Sequence, residues 1–199
     1  MEFFEVLRTR RSARRFTSEE VSQKDLDAIL VAANIAPIGS NKFKDIHLTV
    51  VQDRAILDAL SEATVKRFAD KALLKKIADG LDIPDLTDSA EQRKFDPFYG
   101  VPVAVFVSHR RQDVQPGIEY SNAAIVAYTM HLAATDLGLG SVLIWGALES
   151  MREIPELDKT DLLGLPDDFE PLLGIAIGHQ EASPRSRKPN TGRLSANYL

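Results

Sequence analysis

The run Val101-Pro102-Val103-Ala104-Val105-Phe106-Val107, apolar throughout and rich in β-branched residues, most constrains what this chain can fold into. A strand with one solvated face alternates apolar and polar side chains, and this run does not alternate. The segment therefore predicts a strand that is buried on both faces and lies centrally in a sheet.

The rest of the chain predicts helices and strands in irregular order, without an internal repeat. Ser22 and Asp25 form a capping box at the start of one helix, and Gly138 ends another. Phe3, Phe4, Val6 and Leu7 are spaced to dock a first helix on the core. Predicted helices cover residues 2–10, 22–36, 53–63, 65–80 and 118–137, and predicted extended segments cover 47–52, 140–146 and 171–178. This pattern favours an α+β fold with one mostly antiparallel sheet.

The length of 199 residues, with no linker-like stretch, predicts a single domain over residues 1–199. Residues 65–99 are expected to form a helical and irregular excursion from it. Long irregular connections often cover ligand sites. Phe68, Phe98 and Tyr99 are candidates for a lid in this excursion, and ordinary packing explains them equally well.

Composition excludes several kinds of chemistry. The chain has no cysteine, so disulfides, thiolate nucleophiles, cysteine-held zinc and iron–sulfur clusters are excluded, and redox chemistry requires a bound cofactor. His47, His109, His131 and His179 are isolated, so each is expected to be structural or superficial and no metal site is predicted. The net charge of -5 argues against nucleic-acid binding. Short apolar runs and the absence of a signal-like start predict a cytoplasmic protein without membrane contact.

Against this acidic background, Arg10-Arg11-Ser12-Ala13-Arg14 gathers cations directly after the first predicted helix. A helix C-terminus attracts cations through its dipole, which explains Arg8, Arg10 and Arg11 without any ligand. The alternative is a site for an anion. The tail Arg185-Ser186-Arg187-Lys188 supplies further cations.

With Arg10-Arg11-Ser12-x-Arg14, the motifs Ala36-Pro37-x-x-x-Asn41, Gly138-Leu139-Gly140-Ser141 followed by Ile144-Trp145-Gly146, and Ile177-Gly178-His179 followed by the basic tail occur in order along the chain. In this combination the chain resembles the FMN-dependent nitroreductase family. The resemblance implies a three-layer α-β-α sandwich around a mostly antiparallel sheet, formed as a homodimer with FMN at the interface.

By this resemblance, Arg10, Arg11 and Ser12 would hold the FMN phosphate and ribityl chain, joined by Arg185 and Arg187 from the tail. Guanidinium groups suit phosphate because they bind it bidentately and remain charged. Arg14 would lie near N1 and O2 of the flavin ring, where negative charge gathers on reduction.

The resemblance also assigns the ring contacts. Pro37, Ile38, Gly39 and Asn41 would line the ring, often from the second subunit, while Leu143, Ile144 and Trp145 would place backbone N–H groups near N5 and O4. Gly146 would permit close approach. For Trp145, packing in the core is the alternative and is favoured for a large aromatic beside a buried strand. No catalytic acid or base is required.

The implied activity is ping-pong transfer of hydride from NAD(P)H through FMN to an electron-poor small molecule such as a nitroaromatic or quinone. Lys42 and Phe43 stand where the family usually has Gln-Pro, and Ile38 stands where Ser is common. Two alternatives therefore remain: a specialised relative that fragments flavin or dehalogenates reductively, and a non-catalytic FMN-binding protein.

Overall fold

The structure is a computed structural model, and it describes residues 1–69, 75, 79, 96–113, 116–153, 162–182, 187, 188, 194, 195 and 197. Its helices are α1 (Phe3–Thr9), α2 (Gln23–Ile35), α3 (Arg54–Phe68), α4 (Ile118–Asp136) and α5 (Gly146–Glu153). Its strands are β1 (Ile46–Val51), β2 (Val103–Arg110), β3 (Gly140–Ile144) and β4 (Phe169–Gly178). Short 3₁₀ turns at Gly39–Asn41 and Phe43–Asp45 join α2 to β1.

The four described strands form one sheet in the order β1-β2-β4-β3, and each neighbouring pair is antiparallel. In the register, Val105 lies opposite Val50 on one side and Ile175 on the other. The expectation of a central strand near residues 101–107 is confirmed: β2 is interior, and every residue in it except Arg110 is buried. The mostly antiparallel sheet is confirmed as well.

The two faces of β2 pack against different helices because successive side chains point to opposite sides of a strand. Val103, Val105 and Val107 join the cluster formed with α2 and α4. Ala104 and Phe106 join a second cluster with α3 and α5. Each helical layer covers one face, so the fold is the three-layer α-β-α sandwich that the resemblance implied.

The helix boundaries follow local signals, with one exception. The Ser22 side chain accepts a hydrogen bond from the Asp25 N–H at 3.1 Å, as a capping residue should. The predicted division into helices 53–63 and 65–80 is wrong, because α3 continues through this point to Phe68. Thr64 is buried there and donates its hydroxyl to the Leu60 carbonyl at 2.7 Å, so it stays within the helix.

The first helix docks less completely than its sequence suggests. Val6 is buried, but Phe3 and Phe4 are exposed, with their rings in edge contact at 5.6 Å. The expectation that both phenylalanines dock on the core of this chain is therefore wrong. A helix of seven residues makes only two turns, and Val6 lies on the turn facing α4.

Part of the 65–99 excursion can be placed. Phe98 is fully buried beside Phe106, with ring centroids 6.4 Å apart, and Tyr99 packs against the same cluster. Asp96 accepts hydrogen bonds from the N–H groups of Phe98 and Gly100, which shapes the turn. Phe98 thus belongs to the core and is not a lid. Residues 70–95, apart from 75 and 79, and the side chain of Phe68 lie outside the described residues.

Helix α4 is the longest helix in the described ranges and is covered by α1 and α2. It ends where Leu137 caps it and Gly138 adopts a φ of 80°, the left-handed conformation expected of a terminating glycine. None of the helices in the described part of the chain is both long enough and apolar enough to cross a bilayer.

Candidate functional site

The basic segment after α1 lies along the outer edge of β3. Ser12 forms a parallel bridge with Ser141, and the Ala13 N–H donates to the Ser141 carbonyl at 3.0 Å. Further along, the Thr17 N–H donates to the His179 carbonyl at 2.8 Å, just beyond β4. Main-chain bonds to the sheet therefore fix the backbone from Ser12 to Thr17.

Close packing at Gly140 makes this docking possible. A Cβ atom at Gly140 would lie 2.9 Å from the Cβ atoms of Ala13 and Gln180, a separation that real Cβ atoms essentially never show. The glycine that opens β3 is thus required for the basic segment to approach the strand. Its role is in packing and not in a tight turn.

The side chain of Arg10 is held from α4. Its Nη1 donates to His131 Nε2 at 2.8 Å, and His131 Nδ1 is in turn hydrogen-bonded to the Ser141 hydroxyl. An arginine nitrogen can only donate, so Nε2 must be the acceptor and the imidazole must be neutral with its proton on Nδ1. Ser141 therefore anchors the basic segment twice, through the Ala13 backbone and through Arg10.

The environment keeps His131 neutral. The imidazole is 2% exposed. Burial, and secondarily the positive charge of Arg10, lower the pKa of His131 to about 4. The neutral acceptor is therefore the form present throughout the physiological pH range.

The other cations of the cluster have different surroundings. Arg8 pairs with Glu5 at 3.0 Å in the last turn of α1, where helix-end electrostatics suffices to explain it. Arg14 is exposed and Arg11 is half-buried. The Arg187 N–H donates to the Arg8 carbonyl at 3.0 Å, which places this part of the tail beside α1, whereas Arg185 lies outside the described residues.

The Arg187 side chain has an unusual feature. Its Nε atom is buried, and within the described part of the chain it has no hydrogen-bond partner. A buried guanidinium donor without a partner is costly, so a ligand acceptor at this position would be favoured.

Leu143, Ile144, Trp145 and Gly146 lie where β3 ends and α5 begins. Ile144 is buried, but Trp145 is 52% exposed, so the expectation that it fills the core is wrong. The Trp145 carbonyl accepts from the Leu148 N–H at 3.0 Å, which makes Trp145 the residue that starts the helix. Trp145 therefore follows directly after the strand that carries Ser141.

The loop after α2 is held from the other end of α4. The Gly39 N–H donates to Asn122 Oδ1 at 3.0 Å, and Asn122 Nδ2 is 3.1 Å from His109 Nε2. His109 Nδ1 lies 2.6 Å from the Arg110 carbonyl, so this buried imidazole is best read with its proton on Nδ1. The loop is bent sharply, with Ser40 and Asn41 at φ of 56° and 57°.

The predicted site residues thus form two groups in one chain. Arg10, Ser12 and the end of β3 make one group, and Pro37, Ile38, Gly39 and Asn41 make the other. Their anchors, His131 and Asn122, are nine residues apart on α4, or about 13 Å along the helix axis.

Sequence reasoning missed the three buried polar residues that hold these groups: His109, Asn122 and His131. The expectation that each histidine is structural or superficial holds for His109 and His131, which are both buried and hydrogen-bonded, but the sequence did not indicate their partners. A usable signal existed for Asn122 and His131. Both are polar residues on the mainly apolar buried face of α4, and such residues need partners.

Known proteins are similar to this chain over most of its length. The family model described as Nitroreductase family matches residues 7–179, which include both groups of site residues. The chain belongs to the nitroreductase family.

Individual relatives agree with this membership. An FMN reductase [NAD(P)H] of Bacillus subtilis is 29% identical over 99% of this chain and 73% of its own length. An Archaeoglobus fulgidus protein named as a candidate NADH dehydrogenase/NAD(P)H nitroreductase is 39% identical over 89% of this chain and 85% of its own length. A Bacteroides fragilis nitroreductase with bound FMN superposes with a TM-score of 0.77 at 25% identity, covering all of both chains.

The neutral state of His131 predicts a specific pH dependence of stability. The unfolded chain binds a proton at this histidine near its ordinary pKa of 6.5, whereas the folded chain binds one only near pH 4. The stabilisation is therefore complete above pH 6.5 and is lost as the pH falls towards 4, by roughly 2 to 3 kcal/mol between pH 7 and pH 4.5.

Chemical denaturation at several pH values, comparing the natural chain with His131→Gln, measures this contribution. The variant cannot titrate at this position, so its free energy of unfolding should fall less steeply in that window. Equal slopes for the two proteins would contradict the prediction.

Proposed function

We propose that this chain is an FMN-dependent NAD(P)H oxidoreductase that reduces an electron-poor small molecule such as a nitroaromatic or a quinone. One observation carries the proposal: in a nitroreductase-family chain, the basic segment Arg10–Arg14 is bonded to the edge of β3 next to the junction with α5. Charge for a phosphate and backbone donors for a ring thus lie on one strand edge.

The donors present suit the phosphate end of FMN. Arg10 gives one N–H to His131 and has four more, and the Ser12 side chain is exposed beside it. The buried Nε of Arg187, without a partner among the described residues, supplies an independent sign that an acceptor belongs beside α1, where the Arg187 N–H donates to the Arg8 carbonyl. We assign Arg10, Ser12 and Arg187 to the phosphate and ribityl chain, together with Arg11, and include Arg185 by its place in the tail.

The residues proposed to contact the flavin ring lie further along the same edge of β3 and just beyond it. FMN bound at this site would supply the redox chemistry, hydride transfer between NAD(P)H and the acceptor. Leu143, Ile144 and Trp145 would present backbone N–H groups to the ring edge, and Gly146 would permit close approach. Arg14 would place a positive charge where the reduced flavin is negative, which favours reduction.

The activity itself is tested on purified full-length protein. We expect a yellow protein that oxidises NAD(P)H only with a quinone or nitroaromatic present, with parallel double-reciprocal plots because the two substrates react in turn. A colourless protein that cannot be reconstituted with FMN would refute the proposal. FMN binding without turnover would indicate a non-catalytic binder, and destruction of the reduced flavin by oxygen would indicate a flavin-fragmenting relative.

The role of Arg14 is tested against its neighbour. Arg14→Ala should lower the flavin reduction potential, by roughly 20 to 60 mV for the loss of about 1–3 kcal/mol of charge stabilisation. Arg15→Ala is the matched control, since side chains of adjacent residues in an extended segment point to opposite sides. The potential is measured by equilibrium titration with a reference dye. An equal shift in both variants would show that only general charge is involved.

We further propose that the enzyme is a homodimer in which Pro37, Ile38, Gly39 and Asn41 serve the partner's flavin. In one chain, Asn122, which holds this loop, lies about 13 Å along α4 from His131, which holds Arg10. The same helical layer leaves large apolar side chains exposed: Phe3, Phe4, Val31, Ile35, Ile125 and Tyr128. Exposed apolar side chains on adjacent helices are typical of an interface, and a second copy would cover them. The cytoplasmic location expected from the sequence stays a prediction.

Dimerisation is tested by charge substitution on this surface. Ile35→Asp should yield a monomer with weakened FMN binding, because the partner's loop is lost with the partner. Val65→Asp on α3, also exposed but in the opposite helical layer, is the control and should remain dimeric. Light scattering after gel filtration gives the mass, and fluorescence titration gives the FMN affinity. A monomer with full affinity would show that one chain completes the site.

A further inference from the structure

Arg10 has a side-chain partner that the flavin assignments leave unused. Its guanidinium is fixed by His131, which comes from a different element and lies 121 residues away in sequence. A free arginine side chain loses considerable rotamer entropy when it binds a ligand. A guanidinium already held in place loses less, so preorganisation is converted into affinity.

We infer that His131 and Ser141 form a positioning pair that fixes the Arg10 guanidinium for the phosphate group of the cofactor. His131 offers Nε2 as the acceptor, and Ser141 fixes the imidazole through Nδ1. The inference rests on the proposed function, since it takes the ligand at Arg10 to be the FMN phosphate. His131 is thus a positioning residue and touches no reacting atom.

Several observations separate this role from ordinary core packing. The imidazole is buried, and its pKa is lowered to about 4. At neutral pH it therefore accepts a hydrogen bond from Arg10 without adding a second charge. Ser141 is 1% exposed and its carbonyl also holds the Ala13 N–H. Arg10, through His131, and Ala13 are therefore both held by Ser141, and Ser12 lies between them in the sequence.

The pair also explains why a histidine occupies this place. A buried carboxylate would neutralise Arg10 and compete with the phosphate for it. A neutral acceptor orients the guanidinium and leaves its full positive charge for the ligand.

The test compares FMN with riboflavin, which lacks the phosphate, on the full-length apoprotein. The ratio of the riboflavin dissociation constant to the FMN dissociation constant isolates the contribution of the phosphate contacts. His131→Leu should reduce this ratio by about ten-fold, because the charge-assisted hydrogen bond to Arg10 is lost. His131→Gln, whose amide oxygen can accept from Arg10, should retain most of it.

Two controls define the outcome. Thr135→Val changes another buried residue of α4, one turn on, whose hydroxyl donates to the His131 carbonyl at 2.9 Å, and it should leave the ratio unchanged. Arg10→Ala should lower the ratio by itself, and adding His131→Leu to it should lower it no further. Ser141→Ala provides a milder second variant if His131→Leu fails to fold, with a smaller loss expected.

The possible failures are distinguishable. If Arg10→Ala leaves the ratio unchanged, the phosphate does not bind at Arg10, and the assignment of the site fails together with the inference. If Arg10→Ala lowers the ratio while His131→Leu and Ser141→Ala do not, the phosphate site stands and the positioning pair is overturned. Equal losses in His131→Gln and His131→Leu would also overturn it.

Discussion

Burial of β2 and β4 on both faces is the constraint on which the rest of this structure depends. Strands without a polar side require a helical layer on each face, and on one of them α4 lies against the sheet with α1 and α2 beside it. Any polar side chain on the inner face of α4 must then find a partner, since an unpaired buried polar group costs about 1–3 kcal/mol. Asn122 finds Gly39 and His109, and His131 finds Arg10 and Ser141. The hydrogen bonds that satisfy these buried polar groups also hold Gly39 and Arg10 of the candidate site in place.

Those parts of the fold that depend on local pattern could be predicted from the sequence. The apolar run around Val105 indicated a two-sided buried strand, Ser22 indicated a helix start, and Gly138 indicated a helix end. Each signal is written within a few residues, and the physical cause is equally local: strand alternation, capping and backbone conformation. The order of weak motifs along the chain then indicated the family, which the match over residues 7–179 confirms.

The parts that were missed or wrong depend on distant or marginal contacts. The bond between Arg10 and His131 joins residues 121 positions apart, and no periodicity carries that information. Its size favoured core packing over a flavin contact for the Trp145 side chain, but the residue is exposed at the junction between β3 and α5. Phe3 and Phe4 were expected to dock because helical spacing shows which residues share a face. It does not show whether that face meets the same chain or another molecule.

The layer formed by α1, α2 and α4 both exposes large apolar side chains and holds the two groups of predicted site residues apart. In the proposed dimer, a second copy seated on the apolar surface of α2 would meet the loop that begins at Pro37, two residues after the exposed Ile35. That loop is held from within its own chain, because the Gly39 N–H donates to Asn122 Oδ1 at 3.0 Å. Association then requires little ordering of the loop, which lowers its entropic cost. In the proposed dimer, α4 would therefore prepare both halves of the site: its His131 holds Arg10 for the phosphate of its own chain's cofactor, and its Asn122 holds the Gly39 loop for the partner's ring.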